Sequence, residues 1–312
     1  MDFKRKPVRL LAVSLAICLM PVGYLFFYGD WSAASFSRKG AVLESANSTL
    51  GFGAVIAVSH AKSSRRKDLV FAANLTGIDL TIPDQPVWTD RDLRSFRSPE
   101  NSRIGKGSAL AWMGHLNALK WFLSTTLSTA IILEDDVDWS IHLRRTQIPL
   151  AAAALRAVLS PNTTATTPST YWGPLTWELL HLGHCGDFMA NFDAIPSLEP
   201  YFASTPNSTY RTYHDPTLLP RDRWRPQTAD FLSILPDQTR LLHPSRWPLC
   251  TFGYAVTRAS AARLLATYGT EGPGGCQAYD VRILEACRDH GWRCWTVNPE
   301  LLHHIEGKSE IA

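Results

Sequence analysis

The 312-residue chain contains no Cys-x-x-Cys pair, which removes the ligand spacing of a structural zinc site. It also lacks a Gly-x4-Gly-Lys phosphate loop, a heptad run and an internal repeat, so P-loop, coiled-coil and solenoid architectures are set aside. Charge is nearly balanced, with 31 Lys and Arg against 28 Asp and Glu. The formal excess of +3 partly reflects a cluster at the N-terminus, so composition gives no basis for nucleic-acid binding. Cysteine is sparse. Six are present, and Cys18 lies in an apolar N-terminal run, leaving Cys185, Cys250, Cys276, Cys287 and Cys294. That remainder is odd, so in an oxidising compartment at least one thiol is free or pairs between chains. Cys287 and Cys294 flank Gly291, and Cys276 is close enough in sequence to compete for either.

An apolar, uncharged run extends from Leu10 to Tyr28, preceded by Lys4, Arg5, Lys6 and Arg9. As a helix it spans about 28 Å, enough for a thin bilayer. The basic flank predicts a cytosolic tail over 1–9, a membrane anchor over 10–28, a stem over 29–48 and a lumenal domain over 49–312. A short span suits the endoplasmic reticulum or Golgi better than the thicker plasma membrane. A cleaved signal peptide fits the same flanks, with small residues near Ala34 as its cleavage site; the length of the run favours a retained anchor. Sequons follow at Asn47, Asn74, Asn162 and Asn207. Asn162 lies in a polar, loop-like stretch, whereas Asn74 follows an apolar run and is expected to be partly buried.

Beyond the stem the pattern is α/β. Gly53 to Ser59 reads as a strand, Asp68 to Leu75 as a helix, and Ala109 to Leu123 as a helix capped by Ser108. A strand follows at Ile131, then an Ala-rich helix from Ile148 to Leu159. Tyr171 to Leu182 reads as a helix or short strand. The Pro-, Tyr- and Arg-rich stretch up to Pro248 has little periodicity and is expected to wrap the core or line a cleft. Cys250 to Val256 is strand-like, Ser260 to Tyr268 a helix capped by Ser260, Asp280 to Asp289 a helix, and Trp295 to Val297 a strand. Strands alternating with helices imply a mostly parallel sheet.

The most informative segment is Ile131 to Trp139 (IILEDDVDW), where a buried strand runs straight into Glu134, Asp135, Asp136 and Asp138. Open α/β sheets place ligands just outside the carboxyl ends of their strands. Carboxylates this close repel unless water or a cation lies between them. Asp136 and Asp138 are therefore candidate ligands for Mn²⁺ or Mg²⁺, with Glu134 and Asp135 as further ligands or contacts to a bound sugar or ribose. Lys106 and Ser108, at a helix start, are candidates for phosphate, as is Arg65 with Arg66 and Lys67. Trp139 and Trp247 are candidates for stacking on sugar faces.

An ordered set of motifs adds to this. It comprises Gly107 to Leu119 (GSALAWMGHLNAL), the acidic segment, Leu179 to Asp187 (LLHLGHCGD), Pro248 to Leu265 (PLCTFGYAVTRASAARLL), Ala278-Tyr279-Asp280, and Val297 to His304 (VNPELLHH). Together they resemble the fungal branch of glycosyltransferase family 25, related to lipopolysaccharide and collagen β-galactosyltransferases. The resemblance implies a GT-A-like nucleotide-sugar domain, a divalent cation, a UDP-sugar donor such as UDP-galactose, inversion at the anomeric carbon, and a glycan or glycoprotein acceptor. It also implies an imidazole ligand from His303 or His304, with His304 preferred, and a donor or phosphate contact from His115. Asp280 becomes the candidate general base, against the alternative of a helix cap, and Asp187 is its rival, with His184 orienting the acceptor. The chain departs from the family after its first strand, where Val58-Ser59-His60 stands in place of Asn-Leu-Pro.

Overall fold

The computed structural model describes residues 43–160, 170–187 and 210–305. The expected anchor, Cys18, Asn162 and Asn207 lie outside these residues, and no helix among the described residues is long and apolar enough to cross a membrane.

The elements in chain order are β1 (Ala54–Val58), α1 (Arg66–Thr76), β2 (Leu80–Thr81), α2 (Asp90–Phe96), α3 (Lys106–Ser124), β3 (Thr129–Glu134), β4 (Val137–Trp139), a π-helical turn (Leu143–Gln147), α4 (Ile148–Leu159) and β5 (Leu179–Gly183). After these come β6 (Arg211–His214), a 3₁₀ turn (Arg221–Arg223), α5 (Pro226–Leu232), β7 (Thr239–Pro244), β8 (Gly253–Thr257), α6 (Arg258–Tyr268), α7 (Tyr279–Arg288), β9 (Cys294–Asn298) and β10 (Leu302–His304). The sheet order is β2-β1-β3-β8-β5-β9-β7-β6, with β10 joining β5 to β4.

The sheet is mixed. Pairs β1–β2, β1–β3, β5–β9 and β5–β10 are parallel, whereas β8 is antiparallel to both β3 and β5, and β7 to both β9 and β6. The parallel half behaves as its sequence requires. Val55, Ala57, Ile131 and Leu133 enter one core with α1 and α4, while Ala54, Ile56, Ala130 and Ile132 enter another with α3, α6 and α7. This sorting follows the two-residue period of a strand, and it explains why Ala54 to Val58 and Ala130 to Leu133 are unbroken apolar runs. Each such fully buried Ile or Leu contributes about 1.5–3 kcal/mol.

Several local expectations change. Ser108 does not cap α3: the helix begins at Lys106 with Gly105 as N-cap, so Ser108 sits at its third position. Thr257, not Ser260, caps α6, and the two form a reciprocal capping box. Tyr171 to Leu182 is irregular until β5, with Trp172 and Trp177 buried. Ala46 is buried in the core and its N–H donates to the Arg144 carbonyl, so the folded unit begins before residue 49. Asn74 is exposed on α1. Cysteine pairing resolves as Cys185–Cys250 and Cys287–Cys294, with Cys276 a buried thiol.

Glu271 anchors the turn that leads into α7. Its carboxylate accepts the backbone N–H groups of Ser98 (2.7 Å), Arg103 (2.6 Å) and Cys276 (3.0 Å). Burial opposes its ionisation, yet these bonds hold the carboxyl down to about 2.

A buried polar seam links β5, β7 and β9 through His181, Ser245, Thr296 and Asp187. Burial pushes the His181 imidazole down to about 4, despite the opposing pull of Asp187. A histidine that is neutral when folded favours the unfolded chain once that chain takes up a proton. Stability from this residue is therefore fully present above about pH 6.5 and is lost as pH falls towards 4, by about 3 kcal/mol. Urea unfolding at pH 7 and pH 4.5 should show wild type losing about 2–3 kcal/mol more than His181→Gln between the two conditions. Equal losses in the two proteins would remove His181 as the cause.

Candidate active site

Strands β1 and β3 run parallel and finish opposite each other at Val58 and Glu134. Just beyond, Ser59 Oγ donates to Asp135 Oδ2 (2.7 Å), which ties the two strand ends together. The chain then turns through Asp135 and Asp136 into β4. Arg65, the residue before α1, places Nη1 2.8 Å from Asp136 Oδ2. From the far end of the sequence, β10 pairs antiparallel with β4, and His304 Nε2 lies 3.1 Å from the same oxygen.

Two glycines permit that approach. A Cβ on Gly253 would lie 2.6 Å from the Leu302 side chain, and one on Gly183 would lie 2.9 Å from it. Larger residues at either position would push Leu302, and β10 with it, away from β5 and β8.

Burial disfavours the charged form of Asp136, but the His304 hydrogen bond and the charges of His304 and Arg65 outweigh it and hold the carboxyl below its usual range. The same hydrogen bond raises the His304 imidazole, against a smaller opposing effect of burial. Asp136 Oδ1 is buried and has no hydrogen-bond partner. A buried carboxylate oxygen left open beside an imidazole suits a hard or borderline cation.

Glu134 is held differently. Its Oε1 accepts from Thr251 Oγ1 (2.7 Å) and faces His115 Nε2 at 3.2 Å, while His115 Nδ1 faces the Tyr254 hydroxyl at 3.3 Å. α3 delivers His115, and β8 delivers Tyr254. The approach to β8 also reaches Asp280, whose Oδ2 accepts the Cys250 N–H (3.0 Å) and whose Oδ1 accepts the Val281 N–H (2.8 Å). Phe252 lies against His304 with ring centroids 5.6 Å apart, and its carbonyl accepts the Glu134 N–H. Three consecutive residues, Cys250 to Phe252, thus touch Asp280, Glu134 and His304 in turn.

The contacts therefore gather Arg65, His115, Glu134, Asp135, Asp136, Asp280 and His304. Other expected residues fall elsewhere. Asp187 is fully buried, with its carboxylate accepting the N–H groups of Arg246 (3.0 Å) and Trp247 (2.5 Å) and the Thr296 hydroxyl, so it braces the fold and is corrected as a candidate base. His184 is likewise buried, bonded to the Val297 carbonyl. Lys106 is exposed and 3.8 Å from Asp90, and no described contact joins it or Ser108 to the acidic turn. Asp138 is exposed on β4, its Oδ1 accepts the N–H of Trp139, and its cross-strand partner is His303. His303 packs on the Trp224 ring at 5.2 Å, which leaves His304 as the imidazole at Asp136. Trp139 is buried and donates to Thr76, so it presents no open stacking face, whereas Trp247 is exposed with Arg288 over its ring at 4.4 Å.

Among the described residues no group of three or more His, Cys, Asp or Glu side chains gathers to hold a metal. Of the expected set, Asp136 and His304 are in contact, whereas Asp138 is exposed and makes no described contact with either. Ser59, Thr251 and Tyr254 were not singled out from sequence. The only signal for Ser59 and Thr251 is their position beside strand ends, and Tyr254 reads as an ordinary strand residue.

A scan against protein-family models finds no match to the chain, and a search of curated proteins finds none.

Proposed function

We propose that this chain is a metal-dependent, inverting glycosyltransferase with a GT-A-like domain, transferring a sugar from a nucleotide donor, UDP-galactose foremost, to a glycan or glycoprotein hydroxyl. The observation that carries the reading is Asp136 at the end of β3, charged, flanked by Arg65 and His304, with one buried oxygen uncommitted. Asp136 and His304 would hold Mn²⁺ or Mg²⁺, and donor phosphate oxygens and water would supply the remaining ligands. Such an ion, when bound, neutralises charge on the departing diphosphate. Arg65 adds a fixed positive charge beside the same place. Glu134, oriented by His115 and Thr251, and Asp135, oriented by Ser59, line the acidic turn as polar contacts for the donor. A membrane anchor at residues 10–28 in the Golgi or endoplasmic reticulum belongs to the same proposal; carbonate-resistant membrane association with a protease-protected domain is the expected result, and a soluble product starting near Ala34 contradicts it.

Asp280 is the acceptor-side base in this proposal, because Asp187 is sealed inside the fold. Asp280→Asn keeps one of the two side-chain acceptors that serve the Cys250 and Val281 N–H groups, so a purely bracing role predicts a modest loss of stability and little change in turnover. As a base its loss costs about 10²–10⁴-fold in turnover with donor affinity retained. Steady-state kinetics on the full chain, set beside nucleotide binding, separate the two roles. A drop below about threefold removes Asp280 as base.

One observation favours a second reading. Asp136 already has two cationic partners within the protein, as a purely structural cluster would, and a scaffold or carbohydrate-binding protein that keeps the fold without turnover needs no more. A panel of nucleotide-sugars incubated with the full chain, with Mn²⁺ or with EDTA, decides between them. Metal-dependent, acceptor-dependent consumption of one donor supports the transferase, and none across the panel supports the scaffold.

A further inference from the structure

The two disulfides have different surroundings. Cys287 and Cys294 are both buried, where α7 meets β9. Cys185 is exposed and Cys250 is half-buried, and their bridge spans the turn after β5 and the segment leading into β8. The Cys185 N–H also donates to the Leu249 carbonyl (2.9 Å), so that segment is attached to the turn twice. Cys250 has φ +68°, a left-handed conformation that a non-glycine residue keeps only when its surroundings enforce it. In that conformation its N–H reaches Asp280, and the next two residues reach Glu134 and His304.

We propose that the Cys185–Cys250 bridge is a positioning element for the active site, and that a dithiol which opens it turns transfer off reversibly. The inference rests on the transferase reading and extends it to control of the same site. In the opening step a thiolate of the dithiol attacks one bridge sulfur and forms a mixed disulfide. Its second thiol then displaces that link. Cys185 and Cys250 leave as two thiols, the dithiol leaves as a cyclic disulfide, and two electrons and two protons pass to the protein. Released from the bridge, Cys250 can relax from its left-handed conformation and withdraw its N–H from Asp280. The ion pair between Arg65 and Asp136 does not involve this segment and stays in place.

Dithiothreitol titration of the full chain, with alkylation and peptide mapping at each point, tests the proposal. Cys185 and Cys250 are expected to label before Cys287 and Cys294. Turnover should fall about tenfold or more in step with that labelling, while affinity for UDP with Mn²⁺ stays within about threefold. Reoxidation should restore turnover, and a Cys185→Ser, Cys250→Ser double variant should show the lowered turnover with no further response to dithiothreitol. Full labelling of the pair with unchanged turnover overturns the proposal, as does an equal loss of affinity and turnover. If the oxidised chain transfers no sugar, the transferase reading fails separately, and hydrogen exchange at the Cys250 amide still decides the bridge. Faster exchange on reduction supports it, and unchanged protection with both thiols labelled overturns it.

Discussion

Asp136→Asn is expected to lower sugar transfer by about 10²–10³-fold, the scale seen when one charge-stabilising group is removed from a reacting centre. The substitution keeps the size of the side chain and removes its negative charge. Arg65 and His304 then lose their shared partner, but their side chains are 21% and 34% exposed, so water can solvate both. The fold should survive, with a melting temperature within a few degrees of wild type. Asp138→Asn is the matched control, because Asp138 faces solvent and its Oδ1 bonds only the next residue's N–H. Its expected loss is less than about tenfold. Kinetics of the two variants at limiting Mn²⁺ check the assignment, and equal losses would return Asp138 to the metal set.

The second large effect concerns stability. Arg240 is buried in β7 with its Nε 2.6 Å from Asp215 Oδ2, and both side chains are almost wholly removed from water. Its Nη1 also donates to the carbonyls of Pro299 (2.5 Å) and Glu300 (3.1 Å), the residues that lead into β10. Arg240→Ala leaves Asp215 charged and unpaired in the interior, and breaking one side of a buried pair costs about 3–5 kcal/mol. Urea denaturation measures this directly. Replacing both partners, as Arg240→Met with Asp215→Leu, should recover part of the loss: no stranded charge remains, although the Pro299 and Glu300 carbonyls and the Thr217 N–H lose their partners. A single-variant loss below about 1 kcal/mol would mean that the pair contributes little.

These two residues also illustrate what the sequence did and did not disclose. The place of Asp136 in the turn past β3 was legible because an apolar run ending in carboxylates marks a strand end, and α4 was legible to its boundaries because Ile148 to Leu159 is almost uniformly apolar. Arg240 was not legible. Thr239 to Pro244 carries an arginine, a histidine and a proline, so β7 reads as loop, and only pairing with Asp215 twenty-five positions away lets the arginine enter the core. Asp187 failed in the opposite direction: a carboxylate after Gly-His-Cys-Gly looks reactive, and its burial is a product of β9 and the turn after β7 closing over it. The Thr257 cap escaped notice because its partner at the third helical position is Ser260, where the usual pattern has Glu or Gln. The meeting of His304 with Asp136 depends on β10 docking across Gly183 and Gly253, a contact that no local pattern encodes.

Calorimetric titration of UDP into the full chain, with Mn²⁺ and with EDTA, for wild type and Asp136→Asn, tests most directly whether the strand-end carboxylate holds a metal-bound nucleotide. Binding by wild type that needs Mn²⁺, and its loss of about tenfold or more in Asp136→Asn, is the result expected. UDP binding that is equal in EDTA, or equal in the variant, would contradict it.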